Sequence, residues 1–203
     1  MIDDLDNDGD RDICFYGGYG IFWVRNEGGM FSPWSVISDN SVDGVVVDLD
    51  GDADLDVLTG ASNEDGLIFW SQNVDGQGTF EEVQTKSNHV ARFRLAASES
   101  IDTGDGPEFI VSEGGNVYRG RLSGEEFLFT EVFALDRRLV HLSLIDFDSD
   151  GDLDIAAATS EAFFWAENRG GQKGFEETAE LVPLGRALAR KSHREKTLGV
   201  ANS

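Results

Sequence analysis

Several residue types are scarce in this chain of 203 residues: one cysteine, three prolines, three histidines, two methionines, and only 16 basic residues against 39 acidic ones. Each scarcity excludes something. A single cysteine, Cys14, rules out an internal disulfide and any cysteine-rich zinc module. It lies in the apolar run Ile13-Cys14-Phe15-Tyr16 and reads as a small buried hydrophobe rather than a reactive thiol. His89, His141 and His193 stand singly, without the spacing of a metal site or a triad. No Gly-x-Ser-x-Gly elbow, His-Glu-x-x-His pair or phosphate loop occurs, so no catalytic constellation is visible. A net charge of −23 disfavours nucleic acid and anionic membrane surfaces. No apolar run approaches transmembrane length, which argues against direct membrane insertion. The start, Met-Ile-Asp-Asp-Leu-Asp, shows no signal peptide in this chain.

The chain does have hydrophobic residues at 40%, with 14 Phe, 4 Trp and 3 Tyr, enough for a core and too many for a disordered acidic tail. Its acidity is concentrated in three ladders of alternating aspartates: Asp4-Asp6-Asp8-Asp10-Asp12, Asp48-Asp50-Asp52-Asp54-Asp56 and Asp146-Asp148-Asp150-Asp152-Asp154. Loops so dense in carboxylates repel themselves unless a cation sits inside. Hard oxygen donors without a nearby His or Cys cluster select Ca²⁺ over zinc or a redox metal. Asp4, Asp6, Asp8 and Asp12 are the expected side-chain ligands, with Asp10 contributing its backbone carbonyl. Asp48, Asp50, Asp52 and Asp56 with Asp54, and Asp146, Asp148, Asp150 and Asp154 with Asp152, follow the same scheme. An EF-hand is excluded, because its twelfth position needs Glu and here holds Phe15, Thr59 and Ala157. The second ladder has Ala53 where the others have Gly9 and Gly151. A Cβ in the left-handed region costs about 1 kcal/mol, so two strong sites and one weaker site are expected.

The ladders recur. Their first members are 44 and 98 residues apart, and a shortened version, Ile101-Asp102-Thr103-Gly104-Asp105-Gly106-Pro107-Glu108, fills the gap; it is expected to hold no tight Ca²⁺. An aromatic marker follows each loop: Phe22-Trp23, Phe69-Trp70, Val117-Tyr118 and Phe164-Trp165. Asn26, Asn73 and Asn168 then open Gly-rich turns, and Phe31, Phe80, Phe127 and Phe175 close the units. Between these marks lie short β-branched and aromatic runs separated by Gly, Asn and Asp, a strand-and-turn pattern with no helical period over about 180 residues. Four strands in each such unit predict an all-β chain: a β-propeller of four-stranded antiparallel blades, at about 1–39, 40–88, 89–135 and 136–183. Residues 184–203 form a basic tail whose charges fall where strand residues would be needed, which favours a partial propeller; the alternative is a small ring closed by a strand at 197–201. Trp23, Trp70 and Trp165 share one place in the repeat, which favours packing between blades over a sugar platform.

The spacing Asp-x-Asp-x-Asp-Gly-x-x-Asp between strands, once per unit, resembles the FG-GAP/VCBS repeat family, whose best-known members are integrin α-subunit propellers. The Trp–Asn–Gly-Gly–Phe order after each ladder strengthens the likeness to the VCBS type, and the resemblance spans about residues 2–182. It implies a calcium-stabilised propeller, usually of seven blades, in extracellular or cell-surface proteins that mediate cell adhesion or bind protein or glycan partners. The expected function is therefore a non-enzymatic, calcium-binding module with structural Ca²⁺. The alternative is an accessory propeller of a larger carbohydrate-active enzyme, with its chemistry on another domain.

Overall fold

The structure, a computed structural model, describes residues 1–17, 20–39, 41–61, 68–83, 93–98, 107–124, 126–170, 174–175 and 179–183. Short antiparallel strands and turns make up the described residues, and no helix occurs among them. Four antiparallel four-stranded sheets follow one another along the chain. The first is β1 (Ile2–Asp3), β2 (Asp12–Gly17), β3 (Gly20–Val24) and β6 (Ser35–Asp39), with a small ribbon of β4 (Asn26–Glu27) and β5 (Met30–Phe31) inserted after β3. The second is β7 (Ser41–Val47), β8 (Asp56–Ala61), β9 (Ile68–Asn73) and β10 (Phe80–Val83). The third is β11 (Phe93–Ser98), β12 (Glu108–Glu113), β13 (Asn116–Ser123) and β14 (Glu126–Ala134). The fourth is β15 (Leu139–Ile145), β16 (Asp154–Thr159), β17 (Ala162–Ala166) and β18 (Ala179–Pro183). Each is a simple meander, and β7, β11 and β15 stack in succession along one side.

A sheet with two apolar faces cannot bury both alone, so the sheets stack. Three clusters lie between consecutive sheets. Leu5, Cys14, Ile21 and Trp23 of the first meet Val57 and Phe80 of the second. Leu49, Leu58 and Trp70 of the second meet Phe109, Val111 and Phe127 of the third. Ile110 and Val117 of the third meet Ile155, Ala157 and Phe175 of the fourth. Trp23 meets Phe80 edge-on, with ring centroids 6.1 Å apart. Gly78 lies so close to that indole that a Cβ there would overlap the ring. Burying an indole removes roughly 150–250 Å² from water, on the order of 4–6 kcal/mol as an upper bound, so these junctions carry much of the stability.

One marker falls out of phase. Val117 packs forward on the fourth sheet, whereas Tyr118 packs back on the second. Side chains alternate along a strand, so a slip of one residue exchanges the faces. Tyr118 is therefore not the counterpart of Trp23. The proposed closing strand at 197–201, the tail at 184–203 and Asp102 and Asp105 of the shortened loop lie outside the described residues. Glu108, the acid that ends that loop, opens β12 almost fully buried and accepts from the Arg119 guanidinium at 2.7 Å. It belongs to an ion pair within the sheet.

Candidate metal centres

Each ladder is the hairpin loop between the innermost strand and its neighbour: β1 to β2, β7 to β8 and β15 to β16. The chain turns there by entering the left-handed region twice, at the fourth and sixth ladder positions. These are Asn7 and Gly9, Gly51 and Ala53, and Ser149 and Gly151. The sixth position was legible as the glycine of two ladders. The fourth was signalled only by Asn7 and Gly51, residues that tolerate positive φ. Ala53 already holds φ +74° in the folded loop, so its strain falls on folding rather than on capture of an ion.

Position by position, the five aspartates differ. The first turns the loop on itself. Asp4 accepts from the amides of Asp8 and Gly9 at 3.2 and 2.9 Å, and Asp48 from those of Gly51, Asp52 and Ala53 at 2.8, 3.2 and 3.0 Å. Asp146 has a buried Oδ1 with no hydrogen-bond donor on it. The third-position carboxylates, Asp8, Asp52 and Asp150, accept from the amides of Asp10, Asp54 and Asp152 at 2.8, 3.0 and 3.0 Å. The fourth aspartates lean outward. Asp10 accepts from the Gly28 amide at 2.6 Å, Asp54 from the Asn7 side chain at 2.8 Å, and Asp152 lies against Gly170.

The fifth aspartate is a clasp. Asp12, Asp56 and Asp154 are wholly buried. One oxygen of each accepts from a ladder amide: Leu5 at 3.2 Å, Leu49 at 3.1 Å and Phe147 at 3.1 Å. The other accepts from the amide of the turn asparagine: Asn26 at 2.7 Å, Asn73 at 2.9 Å and Asn168 at 2.8 Å. The asparagine side chains return the tie. They donate to the carbonyls of Arg11, Leu55 and Leu153 and accept from the amides of Gly29, Gly78 and Gly170. The sequence marked these asparagines only as turn residues; their recurrence 14 to 17 residues after the fifth aspartate was the signal of a clasp.

Three carboxylates in each ladder bring oxygens within 4.8 Å of one another: Asp4, Asp6 and Asp8; Asp48, Asp50 and Asp56; Asp146, Asp148 and Asp150. The expected ligands Asp12, Asp52 and Asp154 are not in these groups, and neither are the carboxylates of Asp10, Asp54 and Asp152. The crowding shows in the acidities. Burial and then Asp12 raise the pKa of Asp6, against the opposing effect of Arg25, whose guanidinium contacts its carboxylate. Burial and Asp52 raise Asp50, and burial followed by Asp150 raises Asp148. Burial pushes Asp56 up to about 6 although the Asn73 and Leu49 amides favour its charge. Clustered oxygen donors, with the Asp146 Oδ1 buried and free of hydrogen-bond donors, suit a hard cation.

Against known proteins, residues 4–59 match the FG-GAP-like repeat model, a span running from the first ladder through the second. No curated protein matches the sequence. Among solved structures, the chain resembles an Agrocybe aegerita lectin that specifically recognises non-reducing terminal N-acetylglucosamine. The TM-score is 0.63 and the identity 19%, over 90% of this chain and 51% of the lectin. The chain thus spans about half that lectin's length. The Photorhabdus luminescens Tc holotoxin pore also aligns, at TM-score 0.38 and 14% identity, over 91% of this chain and 12% of the pore chain. No helix among the described residues is long and apolar enough to cross a membrane. The chain carries an FG-GAP-like repeat over residues 4–59, set in an all-β fold of propeller type.

Proposed function

We propose that the three ladders are Ca²⁺ loops that brace a non-enzymatic propeller module, which binds a protein or glycan outside the cell or at its surface. The observation that carries this reading is the convergence of three carboxylates within 4.8 Å in each ladder, with Asp146 Oδ1 buried and without a donor. Asp4, Asp6 and Asp8, Asp48, Asp50 and Asp56, and Asp146, Asp148 and Asp150 would hold the ion, with backbone carbonyls and water completing a shell of 6–8 oxygens. The bound ion supplies the positive charge that the loops lack. A structural role fits because each loop joins the innermost strand of a sheet to its neighbour. A glycan partner is the narrower form of the binding reading, and the fold shared with an N-acetylglucosamine-binding lectin supports it by analogy of fold alone.

The reading is tested by thermal unfolding in Ca²⁺, in Mg²⁺ and in EDTA. A hundredfold excess of ion over Kd stabilises by about 2.7 kcal/mol per site. At roughly 2–4 °C per kcal/mol for a chain of this size, Ca²⁺ should raise Tm by at least 5 °C. An unchanged Tm would sink the calcium reading. Glycan-array screening of the Ca²⁺-loaded chain tests the partner class, with N-acetylglucosamine-terminated glycans as the first comparison.

A further inference from the structure

One position varies systematically around the three ladders. Arg25, Gln72 and Glu167 each stand immediately before the turn asparagine whose amide bonds the fifth aspartate of their own ladder. In the first two ladders this side chain reaches the second aspartate. The Arg25 guanidinium lies on the carboxylate of Asp6. The Gln72 amide donates to Asp50 at 2.7 Å. Glu167 holds the matching place in the fourth sheet's repeat, before the asparagine whose amide bonds Asp154, and puts an acid there. Asp6, Asp50 and Asp148 are the second aspartates of their ladders, and each belongs to its ladder's three-carboxylate group.

We infer that this residue grades the cation affinity of each ladder by its charge, with Arg25 weakening the first, Gln72 leaving the second intermediate and Glu167 strengthening that of the fourth sheet. The inference rests on the calcium reading and ranks the sites within it. Asp6 has no exposed side-chain surface, so Arg25 is a built-in counter-ion that an incoming cation must displace. Gln72 satisfies a lone pair of Asp50 without cancelling its charge. Glu167 contributes a further anion. The neighbouring charges mirror this exchange: Arg25 pairs with Glu27 at 3.6 Å, and Glu167 pairs with Arg169 at 3.3 Å. A unit charge near a divalent ion, screened by solvent, changes affinity roughly tenfold.

The test is a Ca²⁺ titration of the full chain followed by amide ¹H–¹⁵N correlation spectra. Gly9, Gly51 and Gly151 each report one ladder. The Gly151 midpoint should fall at the lowest Ca²⁺ concentration, with Gly51 next and Gly9 last. Arg25→Gln should lower the Gly9 midpoint roughly tenfold, and Glu167→Gln should raise the Gly151 midpoint by a similar factor. Gln72→Glu should lower that of Gly51, which keeps the idea testable if either other variant folds poorly. Midpoints that stay put, or move the opposite way, overturn the charge grading while leaving calcium binding intact. No response of any of the three amides up to roughly 10 mM Ca²⁺, above the range of weak calcium modules, overturns the calcium reading itself and the grading with it.

Discussion

Trp23 and Trp165 occupy the same place in their sheets, opposite Cys14 and Ala156, and both point toward the side where a following sheet stacks. Trp23 is 9% exposed because Gly78 and Phe80 of the second sheet close over it. Trp70, opposite Leu58, is likewise 6% exposed beneath the third sheet. Trp165 is only half-buried, resting on Phe147 with ring centroids 4.8 Å apart. Phe147 in turn stands where Leu5 and Leu49 stand, and those two are buried while it is 51% exposed. The first sheet shows the converse on its other face. Ile13 and Phe31 are exposed there, whereas their counterparts Val57 and Ile155 are buried and Phe80 and Phe175 pack against a preceding sheet. The repeat decides what a residue faces, and the neighbouring sheet decides whether it is buried.

The largest expected break in this comparison comes from truncating the indoles. Trp70→Ala should cost about 3–5 kcal/mol in urea unfolding, and Trp23→Ala a similar amount. Trp165→Ala should cost no more than about 2 kcal/mol, since part of its surface is already wet. Equal losses at all three positions would mean that the fourth sheet's outer face is covered in solution.

The clasps test it differently, because the two amides each fifth aspartate accepts from belong to its own repeat. Asp12→Ala, Asp56→Ala and Asp154→Ala each strand two amides and should cost about 2–4 kcal/mol in EDTA. The three values should agree within about 1 kcal/mol. A much smaller loss at Asp154 would show that the fourth sheet is looser throughout, not merely uncovered on one face.

The smallest effect concerns reactivity rather than stability. Cys14 is buried and its thiol is pushed up to about 11, chiefly by burial. At pH 8 it should resist a thiol reagent until the protein unfolds. Its counterpart on the outer face, introduced as Ala156→Cys in a Cys14→Ala background, should react in the native state. Rapid labelling of native Cys14 would contradict the packing of the first junction.

Much of this was legible in the chain. Strand-length apolar runs between Asp, Asn and Gly turns give the all-β fold, because helices need a different period. The ladders identify a hard-cation site by donor type alone. Less visible were the unequal roles inside a ladder. Five aspartates look alike in sequence, yet Asp4 turns the loop, Asp10 leans onto the Gly28 amide and Asp12 clasps Asn26. Those roles depend on where two left-handed residues aim each carboxylate. Arg25 and Gln72 were equally silent, since nothing in their own neighbourhood of sequence connects them to Asp6 and Asp50, 19 and 22 residues earlier.

Local chemistry was written into each repeat: alternating carboxylates in tight turns, Gly or Asn at most positions where φ turns positive, and β-branched and aromatic residues in strands. These follow from nearest-neighbour sterics, charge density and side-chain period, which any single repeat contains. Sheet stacking and strand pairing set which of Val117 and Tyr118 looks forward, which tryptophans are buried, and that Arg25 and Gln72 reach the ladders. Those outcomes depend on strand register and on contact with another sheet, and both arise from residues distant in the chain.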